Sequence, residues 1–196
     1  MTAHLNITDD PAADRLLSEE PLALMIGMLL DQQVAMETAF AGPAKIKERL
    51  GAFNAETIAH KDPDEFVELC RTPPAIHRYP GSMAARIQTL CTTLLDDWDG
   101  DASQIWTRDN PNGAEVYKRL KALPGFGEQK ARIFLALLGK QYGYDGDGWR
   151  ESAGAYGEEG SYRSVADIVD PESLTKVRET KRAAKAAAKA AANAKA

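Results

Sequence analysis

Residues 120–140 read LKALPGFGEQKARIFLALLGK, and this stretch decides the fold of the chain. An apolar helix is expected to end at Leu123, because Pro124 stops it. Gly125 and Gly127 permit backbone conformations closed to other residues, and a second apolar helix begins at once. The stretch predicts a helix-hairpin-helix whose bare amides, at a helix N-terminus, suit a phosphate oxygen. The alternative is an ordinary helix-helix corner in which glycine only permits tight packing.

Helix signals recur along the whole chain, whereas strand signals are nearly absent. Asp10, Asp62 and Asp170 each precede a proline, which places an N-cap acceptor ahead of the first helical position. Apolar residues at three- and four-residue spacing predict helices around residues 83–98 and 116–123. The run after the hairpin is apolar nearly all round, so that helix should be central. We predict an all-α protein.

The composition is that of a soluble globular protein. The 196 residues, 44% hydrophobic and 27% charged, can form one generous domain or two small helical lobes. The acidic N-terminus shows no leader peptide, and no apolar run is long enough for a membrane span. We therefore expect a cytoplasmic protein with no membrane partner. Cys70 and Cys91 are too few for an iron-sulfur cluster, and three scattered histidines predict no metal site.

Positive charge is concentrated at the C-terminus. The formal net charge is -5, yet from Lys176 onward seven basic residues face one acidic residue. We divide the chain into a helical domain at 1–169 and, at 170–196, a C-terminal helix with a Lys/Ala-rich tail. This tail is expected either to project into solvent or fray without a role, or to neutralise DNA phosphates in a salt-sensitive way.

Residues 141–162 contain six glycines in twenty-two positions and predict a long loop. Loops of this length inside a compact domain are uncommon, and they tend to be functional or disordered. Three aromatic residues of the loop, Tyr144, Trp149 and Tyr156, could stack on an unpaired base. They could equally anchor the loop to the core.

Three segments in order resemble one protein family. LPGFG and the helix after it are similar to the hairpin of the HhH-GPD superfamily of DNA glycosylases, which includes endonuclease III, MutY and the alkyladenine glycosylases. Upstream, PLALMIGMLLDQQVAMETAF at 21–40 resembles the family's early helix and glutamine loop, and HRYPGSMAARIQTLC at 77–91 resembles the helix start before the hairpin. The resemblance implies a two-lobed helical fold that binds double-stranded DNA and flips a damaged base into its cleft.

The resemblance also assigns DNA contacts. Gln33 matches the family residue that fills the gap left by the flipped base, although Gln32 and Gln33 could instead cap their helix. We expect the hairpin residues Gly125, Phe126 and Gly127 to bind the DNA backbone, together with Gln129 and Lys130. The resemblance further implies a monovalent cation on hairpin carbonyls as the one possible cofactor.

The position of the lysine that forms a Schiff base in bifunctional relatives is occupied by Gln129. Lys130 is the nearest amine, but it lies about 100° further around the helix. The departure favours a monofunctional, water-using glycosylase without lyase activity. Lys130 is then expected either to contact phosphate or to face solvent.

The family's catalytic aspartate has three candidates here. Local sequence around SVADIV favours Asp167, where a helix N-terminus would keep the carboxylate ionised. The customary interval from the hairpin favours Asp147, with Asp145 as a third choice. In the alternative interpretation none of them is catalytic, and all three solvate loops or cap helices.

These observations lead to one preferred function and two competing ones. The preferred function is a monomeric DNA N-glycosylase acting on damaged duplex DNA. The first competitor is a noncatalytic DNA-structure binder with the same fold, and the second is a helical interaction protein with a purely structural hairpin.

Overall fold

The computed structural model describes residues 4–193, with side chains described as far as residue 191. Within that part of the chain every regular element is helical, which confirms the predicted all-α class. None of these helices is both long and apolar enough to cross a membrane. In chain order the α-helices are α1 Pro11–Glu19, α2 Pro21–Leu30, α3 Met36–Leu50, α4 Ala55–His60, α5 Pro63–Arg71, α6 Pro80–Trp98, α7 Gln104–Thr107, α8 Gly113–Ala122, α9 Glu128–Gln141, α10 Trp149–Ala153 and α11 Pro171–Asn193.

The helix starts follow from their capping residues. Asp10 accepts a hydrogen bond from a first-turn amide at 2.8 Å, and Asp62 accepts two such bonds at 3.0 Å each. Asp170 accepts one from the amide of Ser173 at 2.7 Å. Each such cap is worth about 1 kcal/mol. All three predicted caps are therefore present.

Helix α9 is the centre of the second half of the molecule. Helices α8 and α10 pack on it, as do two short 3-10 helices at Gly154–Gly157 and Val165–Asp167. Its apolar residues face neighbours on nearly every side, as the sequence predicts. Those that are fully buried are Ala131, Phe134, Leu135, Ala136, Leu137 and Leu138.

The helices form two groups that meet at the hairpin. Helices α1 to α6 pack chiefly on one another, with α2 against α3 and α6 against α4 and α5. Helices α7 to α10 form the second group around α9. The C-terminal end of α2 meets the hairpin, since Gly125 lies against Leu29. This junction positions the candidate site.

The glycine-rich segment 141–162 is not the irregular loop that the sequence predicts. It contains α10 and the 3-10 helix Gly154–Gly157, and both pack on α9. Close approaches explain several glycines. A Cβ at Gly139 would lie 2.4 Å from the Trp149 ring, and one at Gly113 would lie 2.3 Å from the Trp149 backbone. Glycine here permits helix packing more than flexibility.

Helix α11 belongs to the core at its start and to the surface at its end. Leu174 and Val177 are buried, and Arg178 forms an ion pair with Glu37 of α3. From Lys181 to residue 191 every side chain is exposed. Helix α11 thus packs on the rest of the protein through its first turns and continues as an exposed helix to Asn193.

Candidate nucleic-acid interface and base cleft

The hairpin has the predicted shape, but only one of its glycines needs an unusual backbone. Gly125 has φ +80°, and a Cβ there would lie 2.3 Å from Leu29 Cδ1. Gly127 has φ −74° and ψ 176°, which any residue adopts, so the expectation of a special conformation at Gly127 is corrected. A Cβ at Gly127 would meet open space. Glycine at 127 therefore leaves room for a ligand to approach.

The hairpin presents backbone and no large side chain to solvent. Gly127 is the N-cap of α9, and no side-chain cap binds the first-turn amides there within the described chain. Phe126 was expected to contact DNA, but its ring is buried and packs edge-on against Phe134, with centroids 5.8 Å apart. Any DNA contact at Phe126 is therefore limited to its backbone. The free amides and the helix dipole form an anion-binding surface.

The hairpin is attached to the end of α2 through a half-buried lysine. Lys130 Nζ donates a hydrogen bond to the Leu29 carbonyl at 2.7 Å, and Gln32 Nε2 donates to the same oxygen at 3.2 Å. The last carbonyls of a helix lack intrahelical partners, so both contacts satisfy an otherwise orphaned acceptor. Lys130 is thus held against α2 rather than fully exposed, and one of its three N–H groups is already used.

A cleft of about 590 Å³ opens between the α2 end, the start of α9 and the flank of α11. This volume lies within the range typical of ligand sites. Four of the residues that the sequence predicts to contact DNA or a base line this cleft, namely Gln33, Gln129, Lys130 and Tyr156. Its complete lining is Met28, Asp31, Gln32, Gln33, Gln129, Lys130, Ile133, Ala155, Tyr156, Arg163, Thr180, Lys181 and Ala184.

The two adjacent glutamines divide the roles that the sequence left open. Gln32 caps α2, and its amide also lies 3.3 Å from Met83 Sδ. Gln33 is exposed at the cleft with φ +58°, a left-handed conformation that is uncommon for residues other than glycine. Its side chain forms no hydrogen bond to any described residue. The backbone therefore holds Gln33 outward.

His77 fixes the glutamine loop from the other side. The His77 Nδ1 accepts a hydrogen bond from the Tyr79 amide at 3.0 Å, so a neutral ring carries its proton on Nε2. That Nε2–H donates to the Gln32 carbonyl at 2.8 Å. Because His77 is itself buried, it ties the loop to the start of α6.

Gln129 occupies the position at which the resemblance would place a Schiff-base lysine, and its side chain makes a contact of its own. Its Nε2 donates to the Tyr156 hydroxyl at 2.9 Å. The pair links the first turn of α9 to the 3-10 helix Gly154–Gly157. Of the three aromatic candidates, Tyr156 alone lines the cleft.

Tyr144 and Trp149 do not lie in this cleft, which corrects their expected place in a base pocket. Tyr144 is buried, and its hydroxyl donates to the Pro111 carbonyl at 2.7 Å. The Trp149 ring covers Gly139, near the opposite end of α9 from the hairpin, and Arg150 stacks on it at 4.5 Å. The Trp149 ring therefore anchors the glycine-rich segment to α9, and the Tyr144 hydroxyl anchors it to the chain just before α8.

Asp167 lies in a second, smaller cavity and is occupied by structural contacts. One carboxylate oxygen accepts the amides of Arg163 and Ser164 at 2.8 and 3.0 Å. The other accepts Lys140 Nζ at 2.6 Å and the Ser161 hydroxyl at 3.1 Å. The side chain is 3% exposed and does not line the base cleft.

The other two candidate aspartates are also absent from the cleft lining. Asp145 and Asp147 are exposed, and the Asp147 carbonyl accepts a hydrogen bond from the Gly113 amide at 2.8 Å. This bond places Asp147 beside the start of α8, which is the end remote from the hairpin.

Three charged residues of the cleft were missed from the sequence, namely Asp31, Arg163 and Lys181. Among the described lining residues Asp31 is the only carboxylate. The missed signal was its position directly before the two glutamines, at the end of the apolar helix. Arg163 and Lys181 come from segments far apart in sequence, which only the fold brings together. No cluster of three His, Cys, Asp or Glu side chains suited to a metal is found within the described chain.

Burial lowers the pKa of Lys130 to about 8; Asp31 opposes this shift and Arg86 adds to it. The pKa of an exposed lysine is about 10.4. Between pH 8 and this value the unfolded chain therefore binds more protons than the folded one. We expect the Lys130 contribution to stability to rise with pH over this window and to be most unfavourable below pH 8.

The Lys130→Met variant isolates this effect from that of other titrating groups. From pH 7 to pH 10 the wild type should gain about 1–3 kcal/mol of unfolding free energy relative to the variant, because its partly buried Lys130 loses its charge. Urea unfolding at several pH values measures the difference. A difference independent of pH would show that Lys130 is not desolvated.

The sequence matches the family described as HhH-GPD superfamily base excision DNA repair protein over residues 26–193. This region includes the glutamine loop, the hairpin, the cleft and all of α11. Comparison with curated proteins gives no match, and comparison with solved structures gives none.

Proposed function

Because the chain belongs to the HhH-GPD superfamily of base excision DNA repair proteins, we propose that it is a monofunctional DNA N-glycosylase. Acting as a monomer, it would bind duplex DNA, extrude a modified base and hydrolyse the bond between that base and its sugar. The observation that carries the proposal is the cleft of about 590 Å³ that opens beside the hairpin, with Gln33 held outward at it.

DNA binding would rest on backbone amides and on local positive charge. The uncapped first turn of α9 suits one phosphate. Arg163 and Lys181 stand at the cleft, and Arg182, Lys185 and Lys189 continue along exposed α11. Because each neutralised phosphate releases counterions, affinity should fall steeply with salt. Gln33 would enter the duplex and take the place of the extruded base.

Tyr156 is the aromatic residue suited to hold that base. An aromatic plane stabilises a stacked base by about 1–3 kcal/mol. The Tyr156 ring lines the cleft, and the Gln129 amide holds its hydroxyl. Gln129 has no amine for a Schiff base, and the Lys130 amine is bound to the Leu29 carbonyl. These contacts support hydrolysis by water over lyase chemistry.

The monovalent cation implied by the resemblance fits the donor set of the hairpin. The Leu123 carbonyl accepts the Phe126 amide at 3.1 Å and keeps a second lone pair. Hairpin carbonyls such as this one would hold the cation, which would add positive charge next to a phosphate.

A noncatalytic DNA-structure binder is the second candidate, and one observation favours it. None of Asp145, Asp147 and Asp167 lines the cleft, so the carboxylate expected from the sequence is not placed to act there. Such a protein would bind altered duplexes through the same hairpin and release no base.

A base-release assay under single-turnover conditions separates the two candidates. Duplexes carrying uracil, alkylated, deaminated or oxidised bases are incubated with excess protein, and alkali then reveals abasic sites. We expect one class of base to be released, with strand breaks only after alkali. Breaks before alkali, or trapping by borohydride, would contradict the monofunctional mechanism. Binding without release across the panel would identify the noncatalytic binder.

A further inference from the structure

Asp31 occupies the position in the cleft where a catalytic carboxylate is needed. It follows the last residue of α2 and is the only carboxylate among the described residues that line the cleft. Its side chain is 16% exposed, so it is neither in bulk water nor sealed off. A carboxylate with this exposure can reach a bound molecule while most of its surroundings exclude solvent.

The Asp31 carboxylate suits the charge that develops during base release. Cleavage of the glycosidic bond leaves positive charge on the sugar, as in glycoside hydrolysis. The negative end of the α2 dipole and the Asp31 carboxylate both favour a cation at that point. Lys181 Nζ lies 3.8 Å from Asp31 Oδ2 and holds it from the α11 side. The Lys130 ammonium lies on the α9 side.

Apart from its ion pair with Lys181, Asp31 has no structural contact of the kind found at Asp167. The backbone amide of Asp31, and not its carboxylate, closes α2 by donating to the carbonyls of Gly27 and Met28 at 3.1 and 3.3 Å. Gln32 and Lys130 satisfy the Leu29 carbonyl. The carboxylate is thus available for a ligand, whereas that of Asp167 already accepts four hydrogen bonds.

We propose that Asp31 is the catalytic carboxylate of this chain, a role that rests on the proposed glycosylase function. Asp31 stabilises the cationic sugar and accepts a proton from the attacking water. The C1′–N bond breaks, its electron pair leaves with the base, and the base takes a proton from solvent. The water oxygen bonds to C1′, and Asp31 returns its proton to solvent, so the net reaction is hydrolysis.

The Asp31→Asn variant tests the role without changing the size of the side chain. We expect the single-turnover rate of base release to fall at least about 100-fold, in line with the loss of acid–base catalysis. Duplex affinity should stay equal or increase, because a negative charge near the phosphates is removed. Asp31→Glu should recover part of the rate. The matched control is Asp96→Asn, which alters an exposed carboxylate outside the cleft and should release base at the wild-type rate. Asp147→Asn is measured beside it as the competing position.

The outcomes separate the two proposals. If the wild type releases base and Asp31→Asn does so at the same rate, Asp31 is not catalytic and the glycosylase function stands. If Asp147→Asn alone loses activity, Asp147 is the catalytic carboxylate, as the interval from the hairpin predicts, and the inference about Asp31 is overturned. If the wild type releases no base from any duplex, both proposals fail together. Loss of release with a normal unfolding transition and retained binding supports Asp31.

Discussion

The Asp167→Ala variant is expected to lower the free energy of unfolding by about 3–5 kcal/mol, because it leaves a buried ammonium without its partner. The side chains of Asp167 and Lys140 are 3% and 12% exposed, and their charged atoms lie 2.6 Å apart. The variant also removes the capping box of the 3-10 helix Val165–Asp167. Urea or thermal unfolding measures the loss, and Asp147→Ala, at an exposed carboxylate, is the control.

A double variant shows whether the unpaired lysine causes the loss. Combining Asp167→Ala with Lys140→Met removes both charges, so part of the lost stability should return. If Asp167→Ala unfolds like the wild type, the carboxylate does not hold residues 158–164 in place. Asp167 would then be available for the catalytic role that its local sequence favours.

The Gly125→Val variant is the second change with a large expected effect. A β-branched residue is strained at φ +80°, and its Cβ would lie 2.3 Å from the buried Leu29 Cδ1. Backbone strain and overpacking together should lower the free energy of unfolding by about 2–5 kcal/mol. Thermal unfolding, with DNA binding measured below the transition, tests this expectation.

Gly127→Ala is the matched control within the same hairpin. The backbone at Gly127 is ordinary and a Cβ there meets open space, so stability should change by less than about 1 kcal/mol. The added methyl group stands where a phosphate would approach, so DNA affinity should still fall. Equal stability of the Gly125→Val and wild-type proteins would contradict the docking of the hairpin on α2.

The fold could be predicted from the sequence because its helix signals are local. The caps at Asp10, Asp62 and Asp170 and the all-round apolar pattern after Gly127 depend on residues near each other in the chain. The glycine-rich segment misled because some of its glycines permit close packing: a Cβ at Gly146 would lie 2.0 Å from the Tyr144 hydroxyl, and one at Gly157 would lie 2.4 Å from the Arg150 carbonyl. Such contacts leave no periodic pattern in the sequence.

The candidate site was predictable only where its residues follow a local motif. Gln33 and Lys130 come from the glutamine loop and the hairpin, and both line the cleft. The sequence offered three candidate aspartates after the hairpin, and none of them lines the cleft. Asp31 was overlooked because a carboxylate at the end of an apolar helix has an ordinary interpretation as a solvated terminus.

The central claim, that the cleft beside the hairpin receives the extruded base, is tested most directly by filling it. Ala155 lines the cleft and is exposed, so Ala155→Trp should occupy it without disturbing the core. Ala183→Trp adds the same ring on exposed α11 outside the lining. The measurement is single-turnover base release from the damaged-duplex panel by the wild type and both variants. We predict that Ala155→Trp binds duplex yet loses release at least about 100-fold, while Ala183→Trp matches the wild type; equal release by all three proteins would contradict the assignment of the cleft.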